Sequence, residues 1–156
     1  MSTGTRARNT VLGLFIGRNA ALPPATGVSE DLFSITGLVL LTSFYGYVTA
    51  ALPAASIDFD IGLDPDGGGS NVALATLLAV DGFGVGTWLA MNVSAAGALT
   101  AGTDVVYNVP LTYPTALAAG DIFLNVGGGG AIGTTARVKW GLTYLPLDAD
   151  GAVVAV

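Results

Sequence analysis

Polar and apolar residues alternate along short stretches of this chain, and the period is two. In "SIDFDIGL" Ile57, Phe59, Ile61 and Leu63 fall on one side, and Ser56, Asp58 and Asp60 on the other. Successive side chains of a strand point to opposite faces, so this pattern predicts a half-buried strand. "ARVKWGLTY" repeats it, with Arg137, Lys139, Gly141 and Thr143 on one face and Val138, Trp140, Leu142 and Tyr144 on the other. Runs rich in Val, Ile, Leu, Thr, Phe and Tyr predict strands over Val11–Ile16, Leu32–Leu41, Tyr45–Ala50, Ser56–Leu63, Val72–Val80, Thr87–Val93, Asp104–Val109, Asp121–Val126, Ala136–Tyr144 and Ala152–Val156. "NVALATLLAV" also admits a short helix capped by Asn71. Between the runs lie turn formers: "DPDGGGSN" (Asp64–Asn71), the small-residue connection "SAAGALTAGT" (Ser94–Thr103) and "DADG" (Asp148–Gly151). Many short strands at regular turn spacing predict an all-β fold, an antiparallel β-sandwich or barrel of jelly-roll-like type.

The first 31 residues read differently. "RARNTVLGLFIGRNAALPP" has a basic start, and Arg18 interrupts a short apolar run, which argues against a cleaved leader. Residues 1–31 are therefore expected to form an extended N-terminal arm, and residues 32–156 the β-domain. The uncharged span Leu32–Ile57 is long enough to cross a bilayer, but its Ser, Thr, Gly and Pro content and its β-branched and aromatic residues suit strands. No membrane association is expected.

Charge sharpens this picture. Hydrophobic residues make up 52% of the 156 and charged residues 10%, whereas an ordinary soluble domain is about a quarter charged. Much of the surface must then be apolar or small and neutral, and part of it should be covered by another chain. A homo-oligomer or lattice component is expected. The net charge is −6, and three of the five bases (Arg6, Arg8, Arg18) lie in the arm. So acidic a body argues against a nucleic-acid partner.

The candidate chemistry is sparse. The chain has no Cys and no His, so disulfides, thiolate metal sites and Ser–His or Cys–His catalysis are excluded. A Ser–Lys dyad would have to use the single lysine, Lys139. No enzymatic activity and no cofactor are expected. Gly128, Gly130 and Gly133 spell the G-x-G-x-x-G of a dinucleotide loop. The residues after Gly133 are the period-two run "TTARVKWGLTY", where a helix would be required, so a loop between two strands is expected. Asp58, Asp60, Asp64 and Asp66 offer oxygen ligands, with Asp64 and Asp66 the weak candidates for calcium. No EF-hand pattern surrounds them, and turn formation accounts for both. Phe44, Tyr45, Tyr47, Trp88, Tyr107, Tyr113, Trp140 and Tyr144 read as core and interface anchors. Arg6, Arg8, Phe15 and Arg18 in the arm and Trp140 in the body are the expected contact residues.

The C-terminal stretch "AAGDIFLNVGGGGAIGTTARVKWGLTYLPLDADGAVVAV" resembles the ending of small proteins encoded near the head genes of tailed bacteriophages. Trp140 and the run Pro146-Leu147-Asp148 carry most of the likeness. "LFSITG", "GYVTAAL", "GLDPDGG" and "GTWLAM" fit as well, so that it spans residues 32–156. The resemblance implies a virion structural role: a capsid decoration or cement protein on the capsid surface, with the major capsid protein as partner. Decoration proteins as a class imply a homo-oligomer, a trimer where three-fold lattice positions are occupied. The alternatives are a phage tail, spike or fibre-base component, or a carbohydrate- or calcium-binding β-sandwich module.

Overall fold

The computed structural model describes residues 13–22, 26–92, 98–102 and 114–156. The described residues form eleven strands: β1 (Leu14–Ala21), β2 (Val28–Thr36), β3 (Val39–Ala50), β4 (Ile57–Pro65), β5 (Val72–Ala79), β6 (Trp88–Asn92), β7 (Ala98–Gly102), β8 (Thr115–Leu117), β9 (Gly120–Gly128), β10 (Arg137–Pro146) and β11 (Ala152–Ala155). They build two antiparallel sheets packed as a sandwich that does not close into a barrel. The first sheet runs β1-β10-β3-β6-β7, with β8 also on β3; the second runs β5-β4-β9-β2-β11. A single parallel bridge, Thr76 to Ala98, joins their edges.

The pairing defines the topology. β1 pairs β10, β2 pairs β9, β3 pairs β8 and β4 pairs β5, each antiparallel. The β10–β3 and β9–β4 pairs then weld these four ladders into two four-stranded sheets. That nested order is the jelly roll, two interlocked Greek keys. The hairpin β6–β7 is an insertion that extends the first sheet beside β3, and β11 is added outside β2.

Alternation sets what each strand buries. Ile57, Phe59, Ile61 and Leu63 of β4 face inward with Ile122, Leu124 and Val126 of β9. From the first sheet come Val138, Trp140, Leu142 and Tyr144 of β10 and Phe44 and Val48 of β3. Trp140 is fully buried, with its ring centroid 5.6 Å from that of Phe44 and 6.3 Å from that of Phe59. It is thus a core residue bridging both sheets, which corrects its expected place at an interface. The indole also lies flat across its cross-strand partner Gly46, where an added Cβ would come within 2.7 Å of Cζ3.

Two further expectations are corrected. The boundary at residue 31 falls inside β2. Of the expected arm, residues 14–21 lie in the first sheet beside Arg137–Tyr144 of β10 and residues 28–31 in the second; residues 1–12 lie outside the described residues. The expected single strand Leu32–Leu41 is two strands in different sheets. The chain turns at Gly37 with φ +63°, where a Cβ would meet Asp148 Oδ1 at 2.6 Å and the backbone of Asp150 at 2.8 Å. Only glycine fits both demands. The Leu38 N–H donates to Asp148 Oδ2 at 2.9 Å, tying this corner to the "DADG" turn. The strand expected over Val72–Val80 is β5, so "NVALATLLAV" does not take the short helix it also admits, and the expected strand Asp104–Val109 lies outside the described residues. No helix among the described residues is long and apolar enough to cross a membrane; Leu32–Ile57 supplies parts of β2, β3 and β4 instead.

Candidate interaction surface

The jelly roll sorts charge between its sheets. The strands of the first sheet carry Arg18, Arg137 and Lys139 and no carboxylate. Those of the second carry Glu30, Asp31, Asp58, Asp60, Asp64 and Asp121 and no base. Because the chain crosses between sheets at most of its turns, this separation is invisible along the sequence. Arg18 joins the two: its Nη2 lies 2.7 Å from Glu30 Oε1, and its Nη1 donates to the Asp31 carbonyl. This expected contact residue is therefore engaged inside the domain, bridging β1 and β2. Asp58, Asp60 and Asp64 of β4 and Asp121 of β9 point outward from the second sheet, where Asn125 donates to Asp60 Oδ2 at 3.1 Å.

On the outer face of the first sheet the period-two positions of three strands converge. Tyr45 and Tyr47 project from β3, Phe15 from β1 and Trp88 from β6. Phe15 is 54% exposed, and the other three rings are half-buried. The Phe15 and Tyr45 rings are 6.3 Å apart with planes 11° from parallel. Tyr45 contacts Trp88 at 5.3 Å, and Trp88 contacts Tyr47 at 4.9 Å. The planes of these last two pairs are tilted by 47° and 52°, whereas glycines let Phe15 and Tyr45 lie close to the sheet. A Cβ at Gly141 would lie 2.6 Å from Tyr45 Cζ and 3.0 Å from Phe15 Cε2, and one at Gly17 would lie 3.2 Å from Phe15 Cζ. Two rings thus rest side by side on bare backbone. Burial pushes the Tyr45 hydroxyl pKa up.

Polar groups edge the row. Thr143 shares hydroxyl hydrogen bonds with Thr42 at 2.7 Å and with Ser43 at 2.6 Å. Lys139 lies opposite Tyr47 in the β10–β3 register and is exposed. Arg137 donates to the carbonyls of Thr134 and Ala136, both at 2.8 Å, and among the described residues no carboxylate pairs with it. The expected contact residue Phe15 lies on this surface with Tyr45, Tyr47 and Trp88 from the expected core and interface anchors. Arg6 and Arg8 lie outside the described residues. The assembly of Phe15, Tyr45, Tyr47 and Trp88 was not read from the sequence. Its signal is Tyr45 and Tyr47 at a spacing of two, opposite a β10 strand whose outward face holds Gly141.

The remaining candidates resolve locally. Gly128 ends β9 with φ +94°, and its Cβ would fall 2.2 Å from the Ser56 carbonyl oxygen. That carbonyl accepts from the amides of Gly129 and Gly130, both at 3.0 Å. These amides are committed to the protein's own backbone, and β10 comes next, so the run is a loop between strands rather than a phosphate cradle. Asp64 and Asp66 are exposed, and among the described residues no three or more acidic side chains are grouped to hold a metal ion. No protein-family model, curated protein or solved structure matches the chain.

Proposed function

We propose that the protein is a structural virion component, a capsid decoration or cement protein that attaches to the major capsid shell as a homo-oligomer and stabilises it. The observation that carries this reading is the pair of strands bounding the second sheet. β5 (VALATLLA) and β11 (AVVA) contain no charged residue and expose large apolar side chains: Val72 48%, Leu77 60%, Val154 57%. Sheets in free-standing proteins commonly protect their edges with Lys, Pro or bulges. β5 carries two register shifts against β4 and one bridge to β7, but neither edge strand holds a charge or a proline, and such edges suit a protein whose neighbours cover them. The jelly roll is at home in capsid domains, although it also serves lectins and cupins and does not by itself specify a function. A cupin-type metal site would call on histidine, which the chain lacks. The resemblance of residues 32–156 to proteins encoded near phage head genes points the same way, and three-fold shell positions would suit a trimer.

Co-sedimentation with assembled capsid shells tests the reading. The protein should pellet with shells at a fixed copy number relative to the major subunit, and light scattering should show an oligomer at micromolar concentration. A stable monomer that stays in the supernatant would refute it. Deleting residues 1–12 should leave the sandwich folded, because the described ladder begins at Leu14. If Arg6 and Arg8 anchor the protein, the deletion should also weaken attachment.

A further inference from the structure

We propose that the outer face of the first sheet binds an anionic glycan, with pyranose rings stacked on the Phe15–Tyr45–Trp88–Tyr47 row and carboxylates paired with Lys139 and Arg137. This inference is independent of the virion reading. It rests on shape, chemistry and charge together.

The shape is a floor of two rings continued by tilted ones. Phe15 and Tyr45 lie 11° from parallel over Gly141, and Trp88 carries the row on to Tyr47, tilted 47° from Tyr45 and 52° from Tyr47. Protein hot spots are knobs that enter pockets. Rings laid side by side on glycine present their faces instead. A ring face carries the negative part of the aromatic quadrupole, which attracts the polarised C–H bonds on the flat side of a sugar. The bordering groups suit a polyhydroxylated ligand: the Tyr hydroxyls and the Lys139 ammonium are donors.

Charge selects the kind of glycan. Among the described residues the strands of this sheet hold no carboxylate, and neither Lys139 nor Arg137 is in an ion pair. A chain of net charge −6 thus reserves an acid-free, cationic strip beside its aromatic row. The two cations match carboxylates that follow one another along a uronic-acid chain. Its sugar rings offer C–H faces to the aromatic row, where a polyphosphate offers none.

Titration of the full-length protein with polygalacturonate tests this, read by tryptophan fluorescence. Trp140 is sealed in the core, so a change on binding reports Trp88. Polygalacturonate should shift the emission, and neutral dextran should bind at least about tenfold more weakly. Phe15→Ala should weaken binding about tenfold, the scale of a stacking anchor. Lys139→Gln, at an exposed position, should weaken it about threefold and flatten the salt dependence. Retention of the wild-type circular dichroism spectrum keeps both variants interpretable. Three results would overturn the proposal: no fluorescence change at millimolar saccharide; polyphosphate binding as tight as polygalacturonate and indifferent to Phe15→Ala; or self-association, abolished by Phe15→Ala, that accounts for the whole change.

Discussion

The β10–β3 ladder contains a matched pair of ring-on-glycine contacts, one on each face. Trp140 covers Gly46 inside the sandwich, and Tyr45 covers Gly141 outside it. Neither glycine has a positive φ, so alanine is acceptable to both backbones. At Gly46 a Cβ would sit 2.7, 2.9 and 3.1 Å from three atoms of the Trp140 ring. That ring is held between Phe44 and Phe59 with no exposure, so it has nowhere to go. Overpacking of this kind costs about 1–3 kcal/mol. Replacing a strand glycine by alanine returns about 0.5–1 kcal/mol. Gly46→Ala should therefore lose about 1–2 kcal/mol, which lowers Tm by about 2–8 °C for a domain of this size. At Gly141 the contact at 2.6 Å is to Tyr45 Cζ, at the solvent end of a half-buried ring that can lift. The backbone gain and the lost contact nearly cancel, and Gly141→Ala should stay within about 0.5 kcal/mol of wild type. Urea unfolding at one fixed protein concentration, followed by tryptophan fluorescence, measures both. Equal losses at the two positions, or none at Gly46, would refute the claim that core confinement of Trp140 sets the cost.

Local geometry sets two other outcomes. Gly128→Ala should cost about 3 kcal/mol or more, because positive φ and a clash with the Ser56 carbonyl act together, whereas Gly133→Ala (φ +75°, open space) should cost about 1 kcal/mol; equal urea midpoints would count against this account of the loop. Burial raises the Tyr45 pKa above its ordinary value of about 10, so the neutral phenol is favoured in the fold. That contribution is complete below pH 10 and is lost as pH rises through the higher folded value. Tyr45→Phe should consequently lose less stability than wild type in alkali, and phenolate absorbance should show one fewer late-titrating tyrosine; an unchanged titration would contradict the burial.

Much of the fold is legible in single strands. The alternation of Ile57, Phe59, Ile61 and Leu63 against Asp58 and Asp60 specifies which face of β4 is inside, and "DADG" does mark a turn. What escapes is whatever depends on a partner distant in sequence. The break at Gly37 is set by the approach of Asp148 and Asp150, more than a hundred residues away. The short segment Leu14–Ala21 looks like an arm because nothing near it shows that β10 awaits an edge. Trp140 could equally have been a contact anchor until register placed it over Gly46. The aromatic row is the same case, since Phe15, Tyr45 and Trp88 meet only through the β1-β10-β3-β6 order.

The sorting of carboxylates to one sheet and bases to the other gives the domain a dipole across its thickness. Stacked sheets lie about 10 Å apart, comparable to the Debye length of about 8 Å at physiological salt. Near a negatively charged surface, such a molecule is turned before it touches. The second sheet is repelled and the first is drawn in, so the aromatic face arrives first. Orientation on approach is thereby a property of the strand order, and added salt should randomise it without altering a single contact in the folded chain.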